Sequence, residues 1–158
     1  QDKADFKKIF DAKNIEFNPE DSWEEHFHRL FILEVEPALP KDKPLFLTDY
    51  PKKIHTLAKE TDGFASQRWE LYIGGLEIAN CYTEAHDSDQ LSRFFKEESQ
   101  RKALQCSVVP PADFKLGELM KQPDFPDCSG VAMGLERLLM IFLNSAHISG
   151  VVPFSSFL

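Results

Sequence analysis

The chain has 158 residues, 42% hydrophobic and 28% charged, with 26 acidic against 18 basic side chains and a net charge of −8. That length suits one globular domain or part of one, and the acidic excess argues against a dedicated nucleic-acid surface, which is built from Lys and Arg. No apolar run approaches the roughly 20 residues of a membrane span, no signal-peptide core opens the chain, and 14 Phe with 2 Trp exclude a disordered polymer.

Asp5 to Phe10 is short and amphipathic, enough for one or two helical turns. Ser22 and Glu25 then form a capping box, and Trp23, Phe27, Leu30 and Phe31 recur at helical spacing. Pro37 and Pro40 end that helix and begin a linker to Pro44. Leu45 to Thr48 reads as a strand stopped by Asp49-Tyr50-Pro51. Trp69–Ile73 and Leu76–Asn80 read as two strands joined at Gly74-Gly75, a pair suited to the positive φ angles of a tight hairpin. A helix starts near Asp87, carries Leu91, Phe94 and Phe95 on one face, and ends around Leu104. Phe114 to Met120 suits a short helix. Gly130 to Gly134 reads as a strand, Leu135 to Leu143 as a nearly all-apolar buried helix packed across the sheet, and Val151 to Phe154 as an extended tail. Hairpin strands mixed with helices give an α+β class with an antiparallel sheet.

Three features could carry chemistry. Glu77 and Glu84, in and just after the second hairpin strand, are either a carboxylate pair for Mg²⁺ or two ordinary solvated glutamates. Their odd spacing would point them to opposite faces of an unbroken strand. One site for both therefore requires a bulge, near Ala79–Cys81, or the strand end. Arg137 stands in the first turn of the last helix, where a cation opposes the macrodipole by roughly 0.3–1 kcal/mol unless an anion is near. Its planar guanidinium suits phosphate contact or stacking. The glycine-flanked run Gly130–Gly134 permits close approach of a ligand or of another backbone, and it lacks the ending of a P-loop. His26, His28, His55, His86 and His147 form no catalytic or metal pattern. Cys81, Cys106 and Cys128 form no CxxC pair, so a reduced, cytoplasmic protein with an inert buried Cys81 is expected. A first residue of Gln rather than Met points to a piece of a longer protein.

Taken together, Phe46-Leu47-Thr48-Asp49-Tyr50-Pro51, then Trp69 through Asn80, then Gly130-Val131-Ala132-Met133-Gly134-Leu135-Glu136-Arg137 resemble the C-terminal half of a class II aminoacyl-tRNA synthetase core. The last block is similar to motif 3, the strand and helix that carry the family's Arg. The likeness covers roughly Pro44 to Phe154 and divides the chain into a helical segment, 1–43, and a catalytic-core fragment, 44–158, with motif 3 at 130–143. Pro126-Asp127-Cys128-Ser129-Gly130-Val131-Ala132 is similar to the lysyl-tRNA synthetase paralogue known as PoxA, GenX or YjeA, which ligates lysine to elongation factor P.

The resemblance implies an adenylate-forming ligase that uses ATP and Mg²⁺ to activate lysine or β-lysine and passes it to a lysine of elongation factor P. It implies that Glu77, Ile78, Gly134 and Arg137 border ATP, with Arg137 and Glu77 catalytic. It further implies that Glu77 and Glu84 hold Mg²⁺ and that Asn80, Glu84 and Ala132 line the amino-acid site. Ala132 replaces a pocket glycine of lysyl-tRNA synthetases, a small change able to alter preference among near-isosteric substrates. Cys81 stands where the family has Gly, and a Cβ there would be strained at positive φ. Motif 1 and motif 2 of the family are absent from this chain, as is an anticodon-binding barrel. The full-length protein is expected to be a homodimer without membrane contact. The rival readings are a lysyl-tRNA synthetase proper, acting on tRNA, and an inactive synthetase-like binding module.

Overall fold

One tight turn organises the sheet. Gly74 and Gly75 sit at φ of +61° and +83°, the two positive angles that a two-residue hairpin demands and that a Cβ resists. In this computed structural model, which describes residues 3–154, the turn joins β2 (Arg68–Ile73) to β3 (Leu76–Thr83). On the outer sides, β1 (Leu45–Leu47) pairs antiparallel with β2, and β4 (Ser129–Met133) pairs antiparallel with β3. The result is an α+β fold with an antiparallel sheet in the order β1-β2-β3-β4, as the hairpin pattern indicates.

The β2–β3 ladder breaks register once. Leu71 faces Ala79 and Tyr72 faces Glu77, which leaves Ile78 as an extra residue on β3. A bulge of this kind reverses the alternation of side chains beyond it. Ile78 and Ala79 are consecutive and both buried. Glu77 therefore shares a face with Asn80, Tyr82 and Glu84. The expected irregularity exists, but at Ile78; Ala79, Asn80 and Cys81 pair regularly with Leu71, Glu70 and Trp69.

Helices α1 (Lys3–Lys13) and α2 (Trp23–Leu30) precede the sheet. The capping box forms: Ser22 Oγ accepts from the Glu25 N–H at 3.2 Å, and Glu25 Oε2 accepts from the Ser22 N–H at 2.7 Å. These bonds hold the Glu25 carboxyl below the usual range. Beyond Leu30 the chain continues through a π-helical turn, Phe31–Val35, and a 3₁₀ turn, Glu36–Ala38, that contains Pro37. After the sheet's hairpin come α3 (Ser88–Gln105), capped by Asp87, and α4 (Lys115–Met120). His55 stacks on Phe94 of α3 with ring centres 4.3 Å apart, which ties that helix to the loop after β1.

The last helix departs from expectation. α5 (Leu135–Phe142) buries only Met140 among its residues, while Leu135, Leu139, Phe142 and Leu143 are exposed. All five residues of β4 are exposed too. α5 meets β3 along one side, and its remaining apolar face has no cover among the described residues. The tail after α5 is a 3₁₀ turn, Ile148–Gly150, and irregular chain to Phe154, not an extended segment. Cys81 is buried in the sheet between Trp69 and Val131. It is not among the residues at positive φ, which are Asn14, Asp49 and Asn144 with Gly74 and Gly75. Its Cβ is therefore accommodated without backbone strain.

Two consequences are measurable. An uncovered strand edge beside exposed apolar side chains favours association. Light scattering of the 158-residue chain should show concentration-dependent oligomers that Val131→Lys with Phe142→Ser suppresses, and a monomer at every concentration would contradict this. The second concerns His26, whose ring lies fully buried between Phe6, Phe10 and Phe17, with centres 5.5, 5.6 and 4.7 Å away. Burial pushes its pKa below the ordinary 6.5. The unfolded chain then takes up a proton that the folded chain refuses, so stability should fall as pH drops below about 6.5. Urea unfolding at pH 7.5 and 5.5 should show that loss, and His26→Leu should reduce it.

Candidate active-site face

Period-two alternation along β2 puts Arg68, Glu70 and Tyr72 on one face. Register sets Arg68 opposite Tyr82, Glu70 opposite Asn80 and Tyr72 opposite Glu77. On the far side of β3, Asn80 faces Ala132 and Tyr82 faces Gly130. The bulge adds Glu77 to this set. One polar face thus carries Arg68, Glu70, Glu77, Asn80, Tyr82 and Glu84, bordered by the small residues Gly130 and Ala132.

The opposite face is apolar, with Trp69, Leu71, Ala79, Cys81, Val131 and Met133. Phe46 packs on Trp69 there with ring centres 5.1 Å apart.

Arg137 closes one end of the polar face. Its Nη1 donates to the Glu77 carbonyl oxygen at 2.9 Å and lies 3.7 Å from Glu77 Oε2. That contact supplies the anion which a first-turn Arg needs. The side chain is half exposed, so it is less confined than a buried helix would make it. Gly134 caps α5 at φ −79°, and its N–H donates to the Ile78 carbonyl at 2.9 Å. A Cβ on Gly134 would meet Arg137 at an ordinary 3.5 Å. The Ile78 side chain is in the core, which leaves only its backbone near the face.

Glu84 closes the other end. Its N–H donates to the Cys128 carbonyl at 3.0 Å, and it bridges to Ala58. The Glu84 carboxyl lies over Gly130, where a Cβ would come within 3.2 Å of Oε1. Six regular strand steps separate Glu77 and Glu84 once the bulge is discounted, or roughly 20 Å of backbone at about 3.3 Å per residue. The bulge therefore gives the two carboxylates a common face but leaves them at its two ends.

Of the carboxylates that act on Glu77, Glu70 comes first and Glu36 last. Burial first, and then the charge of Glu70, push the Glu77 pKa above the ordinary carboxylate range, against the opposing pull of Arg137 and Arg68. Glu84 is raised by burial alone, and its charge adds to the burial that raises Tyr82. Glu70, Arg68, Tyr72 and Tyr82 are site-face residues that motif reading passed over. The alternation Arg-Trp-Glu-Leu-Tyr was the available signal.

These couplings can be read by carboxyl NMR titration. Glu70→Gln should lower the Glu77 midpoint, Arg137→Gln should raise it, and Glu84→Gln should leave it in place. Arg137→Gln should cost no more than about 1 kcal/mol of stability, as for a half-exposed pair. A Glu77 midpoint that follows Glu84 instead of Glu70 would contradict the geometry.

The pattern of the family described as tRNA synthetases class II (D, K and N) matches residues 3–157. An elongation factor P–(R)-β-lysine ligase homolog of Aquifex aeolicus is 32% identical over 94% of this chain and 47% of its own length. The elongation factor P–(R)-β-lysine ligase of Yersinia pestis is 34% identical over 97% of this chain and 48% of its own length. The chain spans about half the length of these curated relatives. A hairpin turned on two glycines and a polar face ending at Arg137 accord with that match, and the chain belongs to the class II tRNA synthetase family of the D, K and N type.

Proposed function

We propose that the polar face is the amino-acid and ATP half of an adenylate-forming ligase that activates lysine or β-lysine and transfers it to a lysine of elongation factor P. The observation that carries this reading is the polarity of the face. Arg137 and Glu77 stand at one end, Asn80 in the middle and Glu84 at the other end, on a strand stiffened by pairing on both sides. In the reaction, the amino-acid carboxylate attacks the α-phosphorus of ATP, giving an aminoacyl adenylate and pyrophosphate. The acceptor amine then attacks the acyl carbon and AMP leaves.

Arg137 offsets charge as pyrophosphate departs. Asn80 meets the carboxyl end of the amino acid, with Ala132 beside it across the strands. Glu84, four strand residues further on, meets a side-chain ammonium about 13 Å along the sheet less the reach of both side chains. Ile78 and Gly134 supply backbone against which the nucleotide lies. Residues 44–158 form the catalytic part of the chain in this reading and 1–43 a helical flank. The first two positions of 1–43 and the last four of 44–158 lie outside the described residues.

Mg²⁺ fits the Glu77 end. A hard cation takes oxygen ligands and keeps phosphates and water among them, and the Glu77 carboxylate is part exposed beside Glu70. Among the described residues no group of three His, Cys, Asp or Glu side chains could hold a metal. Carboxylates would thus supply a minority of the ligands. When bound, the ion supplies charge neutralisation on the phosphates. Glu84 serves the amine end rather than the same ion.

A second reading is a synthetase-like module that binds without catalysis. The β4 edge and the α5 face, uncovered among the described residues, favour it, since such surfaces take partners. The two are separated by ATP–pyrophosphate exchange with lysine or β-lysine. The 158 residues carry no counterpart of the family's motif 2 Arg, and misplacing a phosphate by about 1 Å can cost roughly 100-fold. No exchange above background is expected from them. A longer natural form should exchange and lose it on Arg137→Ala. Exchange by the isolated chain would show the site to be misplaced, and silence of the longer form would put the module reading ahead.

A further inference from the structure

Glu70 is 6% exposed, yet its carboxylate is fully partnered. Its Oε1 accepts from Arg68 Nη2 at 2.6 Å, and its Oε2 accepts from the Tyr72 hydroxyl at 3.0 Å and from the Tyr50 hydroxyl. The Arg68 guanidinium lies 4.6 Å over the Tyr50 ring. A planar group bonded along one edge and stacked on one face has little freedom left. The neighbouring donor beside Nη2 reaches the site: Arg68 Nε donates to Asn80 Oδ1 at 3.2 Å.

An amide's oxygen and nitrogen are hard to tell apart by shape, and here chemistry decides. Guanidinium offers donors only, so the Asn80 atom that faces it must be the carbonyl oxygen. The Asn80 NH₂ group is then the end free to meet a ligand. We propose that Arg68 is a positioning residue that locks the Asn80 amide with its donors presented. In that pose the amide suits the role already given to Asn80, toward the carboxyl end of the amino acid. The buried charge of Glu70 holds Arg68 in that pose, and removing either partner leaves the other uncompensated. The catalytic consequence rests on the adenylation reading; the lock itself does not.

Two arms test it. In the ¹⁵N-labelled chain, the Asn80 side-chain NH₂ signals are identified by their loss in Asn80→Asp. Arg68→Lys keeps the charge but cannot bond Glu70 and Asn80 in one plane, so the Asn80 signals should shift and broaden while those of α1 and α2 stay. Glu70→Gln should move them in the same sense by a smaller amount, and it serves if Arg68→Lys fails to fold. Unmoved Asn80 signals in the folded variant overturn the proposal.

The second arm uses a form of the protein active in pyrophosphate exchange. There Arg68→Lys and Asn80→Ala should each lower kcat/KM for the amino acid about tenfold or more, with KM for ATP unchanged. The double variant should lose no more than Asn80→Ala alone. Losses that multiply overturn the positioning role. A wild type that is silent in exchange, with Asn80 signals that still follow Arg68, counts against the adenylation reading and leaves the lock standing.

Discussion

The structure depends on one extra residue in a strand. Without the bulge at Ile78, Glu77 would point away from Asn80, Tyr82 and Glu84, and Arg137 would meet a carboxylate on the wrong side of the sheet. With it, both Ile78 and Ala79 face the core, and the strand's polar residues fall on one side. The Ile78 carbonyl, on the side of β3 that faces β4, accepts the Gly134 N–H. The irregularity in β3 is thus also the anchor for the start of α5, and so for Arg137. A slip of one residue would break both relations at once.

At the Glu77 end of this face two carboxylates, Glu70 and Glu77, stand against two guanidinium groups, Arg68 and Arg137, while Glu84 stands apart at the other end. Arg68 is committed inward to Glu70 and Asn80, whereas Arg137 is half exposed and bonded mainly to a backbone carbonyl. That division suits a site in which one Arg preserves geometry and the other answers to a ligand. Glu77 is held in an environment that favours protonation. An approaching cation would relieve the repulsion from Glu70 and the cost of burial together.

Much of the fold is legible in local chemistry. Gly74-Gly75 dictates the hairpin because few other pairs reach two positive φ angles, and Ser22 with Glu25 dictates a helix start by their reciprocal bonds. Family resemblance adds Arg137 and the order of the blocks. The bulge is not legible, because Leu-Glu-Ile-Ala reads equally well as regular strand; only pairing with β2 reveals the unmatched Ile78. Glu70 is passed over because its importance lies in partners from two elements, Tyr50 and the β2 neighbours, which no spacing rule brings together. The exposure of α5 runs against its composition. An all-apolar helix signals burial only when a covering surface is present, and these residues cover only one side of it.

The central claim is that the bulge gathers a ligand-binding face. Paramagnetic broadening of the ¹⁵N-labelled chain by ATP with Mn²⁺, in place of Mg²⁺, tests it most directly. The account predicts loss of signal centred on Glu77, reaching Glu70, Asn80 and Arg137 and sparing Leu71 and Cys81 on the opposite face, with the focus abolished by deletion of Ile78. Broadening spread over other acidic surfaces, such as Glu97 and Glu98 on α3, or a focus that survives the deletion, would contradict it.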